Sequence, residues 1–588
     1  MARHPQEQVA INRADGAREG VRHRLPDLLP EYLLGSSGDF ELMMQERVWY
    51  RNVLVIATIY TFALFYLAGF PHVRLAYPLD DSWIHQVVAR NLANDGTLGF
   101  IPGVRSSGSS SLLWSFLLAA QRKVVPALNP VVYTYFLNWL ALIATGTGLF
   151  AIARRDGLPE TSCWIWAITP SLNGNFVWLG VVGMEHVLFV TFSVLAIFFW
   201  FEHSRLSAVL AALCLGALCV TRPEGVVLIV LAVLGAGWAR RGRGDIIIII
   251  STVSLFFAAG LAANFVTSNS WLPLTYVGRK WLYFGSETIP IQAHFRFLGA
   301  VLGRPAHAWS FFNGHTWSFF LVLPLIATID VLLALGLWRL WQLRGVRCGF
   351  LCIWSFALIA IYAVILPVGG HASRYQPVFL LLTFPLMFLG SERIVRRLLE
   401  LLKVPSTEVS MQRIIMLSVC LLCGGLSLRI WRRAAQDGMT VVESTHAKMG
   451  QFLVDTFHQQ TRVAAFDIGR MGYIYGSRLS DLGGLTDSSF LPYLRQHRVL
   501  DYMETRGIQY FVWPTSADGT VVGLDAFLKI TPAVGQRLVT VTKICAPTDA
   551  WSFAIAATGV AVQCQTLFRL GDAITVTKPP GAGAATVQ

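Results

Sequence analysis

Two aspartates stand side by side at Asp80–Asp81, just ahead of the run Ser82-Trp83-Ile84-His85-Gln86-Val87-Val88-Ala89-Arg90-Asn91-Leu92. Trp83, Ile84, Val87 and Val88 of that run share one face of a helix. Asp is favoured at a helix N-cap, where its oxygen takes up free backbone N–H groups. One carboxylate suffices for a cap, and the second is left over. A carboxylate beside low-dielectric lipid and a partner acid has a raised pKa and can act as a base. His85 lies one turn further on and can face the same cleft.

Further along stand Glu185 in Val182-Gly183-Met184-Glu185-His186, and Arg222 and Glu224 in Thr221-Arg222-Pro223-Glu224-Gly225. Arg279 and Lys280 follow Asn269-Ser270-Trp271-Leu272-Pro273-Leu274-Thr275-Tyr276, and His371, Arg374 and Tyr375 close Gly369-Gly370-His371-Ala372-Ser373-Arg374-Tyr375. Each has a plain structural reading: a solvated loop charge for Glu185, a local ion pair for Arg222 and Glu224, and head-group anchoring or snorkelling for the other cations. Each also has a chemical one. An acid at membrane depth is a functional candidate, and arginine suits phosphate geometry and keeps its charge. An acid pair with several cations around one cavity suits a reaction on an anionic, lipid-linked substrate. No metal-ligand cluster is evident, although an acid pair can hold a divalent cation.

Long apolar elements must position these residues. Of 588 residues, 54% are hydrophobic and 14% charged, with mean hydropathy +0.54. A soluble domain carries about 25% charged residues. Uncharged runs near the ~20 residues needed to span a bilayer predict about eleven spans, near 52–70, 131–153, 161–180, 187–201, 206–220, 225–238, 246–266, 319–338, 348–367, 376–390 and 413–430. The segment 112–120 is too short to cross and reads as an interfacial helix. The net charge of +13 does not signal nucleic acid, because the basic residues sit mostly in short loops between apolar runs. By the positive-inside rule those loops are cytoplasmic, and every motif above falls on the outer side. The first span then reads as an uncleaved signal-anchor.

The expected organisation is a cytoplasmic segment 1–47, a membrane domain 48–430 with an outer loop 71–130, a periplasmic α/β domain 431–578 and a disordered tail 579–588. In the outer domain Arg462–Phe466, Tyr510–Trp513, Arg537–Ile544 and Trp551–Ala557 read as strands, Asp467-Ile468-Gly469 as a turn and Tyr493–Arg506 as a helix. Seven cysteines lie in apolar spans. Cys545 and Cys564 lie in the outer domain and are candidates for a disulfide.

The run Leu79-Asp80-Asp81 through Arg90-Asn91-Leu92, then Gly96, Gly99-Phe100-Ile101-Pro102-Gly103, Gly108 and Leu113-Trp114, resembles the first outer loop of GT-C fold glycosyltransferases. The nearest resemblance is to bacterial proteins related to the mycobacterial terminal arabinofuranosyltransferase, and more distantly to protein O-mannosyltransferases. Gly183-Met184-Glu185, Thr221–Gly225, Arg374-Tyr375 and, in the outer domain, Asp467-Ile468-Gly469 with Asp481–Asp487 look similar too. His186 departs from the pattern, since relatives often carry Thr there.

The resemblance implies a polytopic α-helical membrane protein of GT-C type with an extracytoplasmic α/β domain. It implies inverting transfer of a sugar, arabinofuranose or a hexose, from a polyprenyl-phosphate donor to a cell-envelope glycan or glycolipid acceptor on the periplasmic face of a bacterial inner membrane. Asp80 is then the first choice as base with Asp81 its partner, and Arg374, Lys280 or Arg279 would stabilise the departing phosphate. The rival readings are a transporter or flippase of lipid-linked glycans and a non-catalytic accessory membrane protein.

Overall fold

The computed structural model describes residues 37–102, 109–237, 239–271, 274–286, 288–308, 319–402, 409–521, 538–547 and 564–571. The chain divides into a short N-terminal unit, Met1–Asn52, and a body, Val53–Gln588. The tail 579–588, the strand expected at Trp551–Ala557 and most of the segment 1–47 lie outside the described residues.

The protein is a helical membrane protein. Among the described residues, seven helices are long and apolar enough to cross a bilayer, and an eighth span is counted if one bent pair crosses as a unit. The expected spans near 206–220 and 225–238 form the shorter apolar helices Arg205–Thr221 and Pro223–Leu234. The run 161–180 is not one helix. Asn173 interrupts it, ending Glu160–Leu172 and capping Gly174–Val182 through its side chain. Gly174–Val182 then turns by 115° into His186–Trp200. Gly183 makes that turn at φ +79°, in the left-handed region. A Cβ there would also fall 2.3 Å from the Tyr77 ring, so a side chain is excluded twice over.

Helices approach closely where small residues allow it. A Cβ on Gly336 would lie 2.0 Å from the Leu386 carbonyl oxygen, and one on Gly390 2.1 Å from that of Leu332. These glycines bring Phe319–Gln342 and Pro377–Leu401 into backbone contact. At one end of the bundle, buried Asp156 accepts the N–H groups of Arg347 and Cys348 at 3.1 and 2.9 Å, and Arg347 also reaches Glu202 at 3.3 Å. This network joins the ends of three helices and lies apart from the candidate site.

The segment 112–120, expected as an interfacial helix, forms the helix Leu112–Val124. The helix Val409–Val441 runs on through a π-helical turn, Val442–Ala447, into Lys448–Phe457, and so leads from the bundle into the sheet domain. That domain holds a five-stranded sheet: β1 (Val463–Ala465), β2 (Leu479–Asp481), β3 (Tyr510–Thr515), β4 (Leu538–Cys545) and β5 (Cys564–Leu570), in the order β2-β1-β3-β5-β4. β1 runs parallel to β2 and β3, while β5 is antiparallel to β3 and β4. The expected helix Tyr493–Arg506 is two, Leu491–Arg495 and Val499–Thr505, broken where His497 takes φ +58°. Cys545 and Cys564 face each other across β4 and β5 and form a disulfide.

The side-chain period of two along a strand sends alternate residues to opposite faces. Ala464, Phe511, Trp513 and Phe568 pack with Trp281 of the helix Leu274–Phe284, together with Phe490 and Tyr502. Val463, Ala465, Val512 and Leu567 pack with Ile84 and Val87 of the helix Asp81–Asp95, together with Met449 and Leu453. Each fully buried aliphatic or aromatic side chain contributes about 1.5–3 kcal/mol. The sheet therefore grips the helices Leu274–Phe284 and Asp81–Asp95, one on each face, and both carry candidate site residues.

Candidate active site

Asp80 occupies the N-cap position of the helix Asp81–Asp95, yet its side chain makes no capping bond to that helix. Its carboxylate caps another one. It accepts the backbone N–H groups of Gly469 and Arg470 at 2.6 and 2.7 Å, at the start of the helix Gly469–Tyr475. Gly469 is required for that approach, since a Cβ would lie 2.0 Å from the Asp80 carbonyl oxygen. Burial, set against the nearby His446 and reinforced by the like charge of Asp467, pushes the Asp80 carboxyl up to about 6.

Asp81 turns the other way, toward the bundle, and accepts a hydrogen bond from the Arg374 guanidinium. Burial raises this carboxyl. Arg374, by charge and by hydrogen bond, together with Arg279 outweighs burial and holds it well below the usual carboxylate range. His371 lies in the same electrostatic neighbourhood; burial, then Arg374, pushes it down to about 4, so it is neutral near pH 7. Buried His85 places Nε2 3.6 Å from the Glu185 carboxylate, and its Nδ1 lies 3.3 Å from Ser109 Oγ.

Glu185, at the 115° bend, is fully buried. Arg222 Nη1 donates to Glu185 Oε1 at 3.1 Å, and Arg222 Nε donates to Glu224 Oε1 at 2.7 Å. The local pairing of Arg222 with Glu224 thus exists, and it extends into a longer chain. Tyr362 donates to the same Glu224 oxygen at 2.6 Å and stacks on Tyr375 with ring centroids 5.7 Å apart. His186 Nδ1 lies 3.3 Å from Arg222 Nη1, so the histidine that departs from the family pattern belongs to this network.

Three guanidiniums surround the Tyr375 ring: Arg279 at 5.0 Å, Arg374 at 5.4 Å and Arg222 at 5.6 Å from its centroid. Beside them opens a cavity of about 470 Å³. Arg222, Glu224, Arg279, Tyr276 and Tyr362 are among its polar lining residues, and Val226, Val227, Ile361, Ile365 and Leu366 among its apolar ones. Lys280 shares the helix of Arg279 but follows it by one residue, which places it about 100° further around.

The structure therefore gathers Asp81, His85, Glu185, Arg222, Glu224, Arg279, His371, Arg374 and Tyr375 at one end of the bundle. It points Asp80 into the sheet domain. Sequence reasoning did not single out Tyr362, His446 or Gln565. Tyr362 stands in an apolar run seven residues before Gly369, and His446 and Gln565 lie far from the motifs; none carries a local pattern, so the folded chain is what brings them to notice.

Fold and site define a polytopic helical membrane protein whose sheet domain sits over a cluster of buried charges. A family described as "Domain of unknown function (DUF8728)" matches residues 432–561. No curated protein matches the chain. Solved structures are similar to it at low sequence identity. One is the archaeal oligosaccharyltransferase AglB from Archaeoglobus fulgidus, solved with an inhibitory peptide and a dolichol-phosphate: 13% identity, TM-score 0.49, covering 80% of this chain and 70% of that one. Another is ArnT from Cupriavidus metallidurans in the apo state: 11% identity, TM-score 0.45, covering 88% and 97%. A third is the arabinofuranosyltransferase AftD from Mycobacteria: 14% identity, TM-score 0.43, covering 89% of this chain and 41% of that one.

Proposed function

We propose that this protein transfers a sugar from a polyprenyl-phosphate donor to a hydroxyl of a cell-envelope glycan or glycolipid, on the outer face of a bacterial inner membrane. The observation that carries the reading is the triad Arg222, Arg279 and Arg374 around one tyrosine ring, beside an apolar cavity and within reach of the Asp81 carboxylate. Glu185 and Glu224 pair with Arg222 and Asp81 pairs with Arg374, which leaves the Arg279 guanidinium at the cavity as the first contact for an anionic group. A phosphate bearing a lipid tail fits such a place: the phosphate meets the guanidiniums and the tail enters the cavity. The disulfide between Cys545 and Cys564 supports an oxidising outer compartment for the sheet domain.

In this reading the acceptor oxygen attacks the anomeric carbon and the bond from that carbon to the phosphate oxygen breaks. The polyprenyl phosphate leaves with the bonding electrons, and the acceptor proton passes to a carboxylate. Preorganised guanidiniums at the departing phosphate lower the barrier. Direct displacement inverts the anomeric centre. Of the acid pair, Asp81 is favoured as base because it faces the arginines, while both oxygens of Asp80 already accept backbone N–H groups. Arg374 serves both groups. When the phosphate engages it, its hold on Asp81 weakens, and the carboxylate becomes more basic as the donor arrives.

The test is transfer from a panel of radiolabelled polyprenyl-phosphate sugars by membranes containing the wild type, Asp80→Asn or Asp81→Asn. Loss of transfer in Asp81→Asn, with product of inverted configuration from the wild type, supports the proposal. Undiminished transfer in both variants overturns it. Movement of intact lipid-linked sugar across vesicles without transfer would favour a flippase instead.

A further inference from the structure

The outer face of Asp80 looks onto a second cluster that the transfer chemistry does not use. One atom each from Asp80, His446 and Asp467 lies within 4.8 Å of the others. His446 comes from the π-helical turn and Asp467 from the turn after β1, so three separate parts of the chain converge. His446 Nε2 and Asp467 Oδ2 are 3.4 Å apart. Gln565, on β5 and 2% exposed, places its amide nitrogen 3.1 Å from His446 Nε2 and 2.8 Å from Asp467 Oδ2.

Two details mark this as more than an ion pair. The first is the state of the imidazole. The Thr445 hydroxyl donates its one proton to the Val441 carbonyl at 2.7 Å. It therefore accepts from His446 Nδ1, 2.9 Å away. With Nδ1 as the donor, Nε2 is the nitrogen turned to Asp467 and Gln565: the protonated ring forms an ion pair there, and an incoming cation would take the place of that proton. This is the arrangement in which imidazoles bind metals, with the other nitrogen fixed by a hydrogen bond behind. The second is Gln565, whose Oε1 is buried and has no hydrogen-bond partner. A half-turn of the amide exchanges its two ends with little change of shape. It would bring that oxygen to the position now held by the nitrogen.

We propose that Asp80, His446, Asp467 and Gln565 form a binding site for one divalent first-row transition ion of the Zn²⁺ class. Two carboxylates balance the charge. The imidazole selects against Mg²⁺ and Ca²⁺, which prefer all-oxygen shells. Zn²⁺ bonds of about 2.0–2.1 Å set tetrahedral ligand atoms roughly 3.3 Å apart. The His446–Asp467 pair is close to that spacing already, and the Asp80 carboxylate, with a second lone pair on each oxygen beside its backbone N–H partner, would supply the third ligand. The ion would pin the outer domain to the loop carrying Asp81, so its part in transfer is to position that loop. The site stands on its own geometry and does not depend on the proposed reaction.

The experiment uses full-length, tag-free protein in detergent, stripped with a chelator and titrated calorimetrically with ZnCl₂, with thermal unfolding measured alongside. The expected result is one Zn²⁺ per chain and a higher Tm with Zn²⁺ than without. His446→Gln and Asp467→Asn should each weaken binding at least tenfold, and Thr445→Val should weaken it by roughly tenfold through loss of the bond behind the imidazole. Gln565→Glu should bind at least tenfold tighter, because a carboxylate replaces an amide; this gain cannot come from misfolding. Absence of binding in the wild type, binding undiminished in Asp467→Asn, or no gain in Gln565→Glu would each overturn the site.

Discussion

Asp81 accepts a hydrogen bond from Arg374, 293 positions further along the chain. The pair closes the bundle end over the cluster that holds Arg279 and His371. If Asp81 is the base, Asp81→Asn keeps the shape and loses about 10²–10⁴-fold in transfer rate. Arg374→Lys keeps the charge but loses the planar fork, and kcat should fall while the protein still folds. Initial rates at saturating donor, read against yield and Tm of the purified variants, check both.

Arg279 and Arg222 should fail in different ways. Arg279 lies at the cavity and against the Tyr375 ring. Arg279→Ala is expected to raise the donor KM tenfold or more while leaving Tm nearly unchanged. Arg222 is buried between Glu185 and Glu224. Its removal leaves the buried Glu185 carboxylate with only His85 and His186 beside it and no permanent cation, a loss of about 3–5 kcal/mol. Arg222→Ala should therefore show as low yield and early unfolding before any kinetic effect is measured.

Gly469 lies directly beneath the Asp80 backbone. Gly469→Val must push the outer domain off the first loop, and overpacking of this kind costs about 1–3 kcal/mol. Limited proteolysis is the check: cleavage within the outer domain should speed up in Gly469→Val relative to wild type, with the bundle still intact.

His371 supplies a pH signature. Its folded pKa of about 4 lies below the ordinary 6.5. The neutral form favours the fold, so this contribution is complete above pH 6.5 and is lost as pH falls toward 4. Asp80, raised to about 6, acts in the opposite direction over much of the same range. The difference between variants isolates the histidine: His371→Gln should lose less Tm than wild type between pH 7.5 and 4.5.

The disulfide joins cysteines 19 residues apart on neighbouring strands. Replacing both by serine is expected to destabilise the outer domain by about 3 kcal/mol. Denaturant unfolding followed by Trp fluorescence, compared with wild type with and without reductant, measures it. Reductant should move the wild type toward the double variant and leave the variant where it is.

Much of this protein follows from sequence by itself. Runs of about twenty apolar residues have few ways to satisfy their backbone other than helices in lipid, and each expected span contains helix, although Asn173 breaks the third and the helix Val226–Leu234 falls short of the expected 225–238. The runs 462–466, 510–513 and 537–544 likewise predict β1, β3 and β4, while β2 and β5 carry no run read as a strand. The short motifs at 80–85, 183–186, 221–225 and 369–375 also stood out, since charge is rare in such surroundings.

What the sequence could not decide is which partner each charge meets. Asp80 and Asp81 are neighbours in a chain that turns about 100° per helical residue, so their carboxylates diverge: one caps a helix of the outer domain and the other meets Arg374. Local propensity is blind to that choice. It is made by packing between segments hundreds of residues apart, through the sheet that holds Ile84 and Val87 on one face and Trp281 on the other. The acid pair was legible as a pair. Its division into an anchor and a candidate base belongs to the tertiary structure.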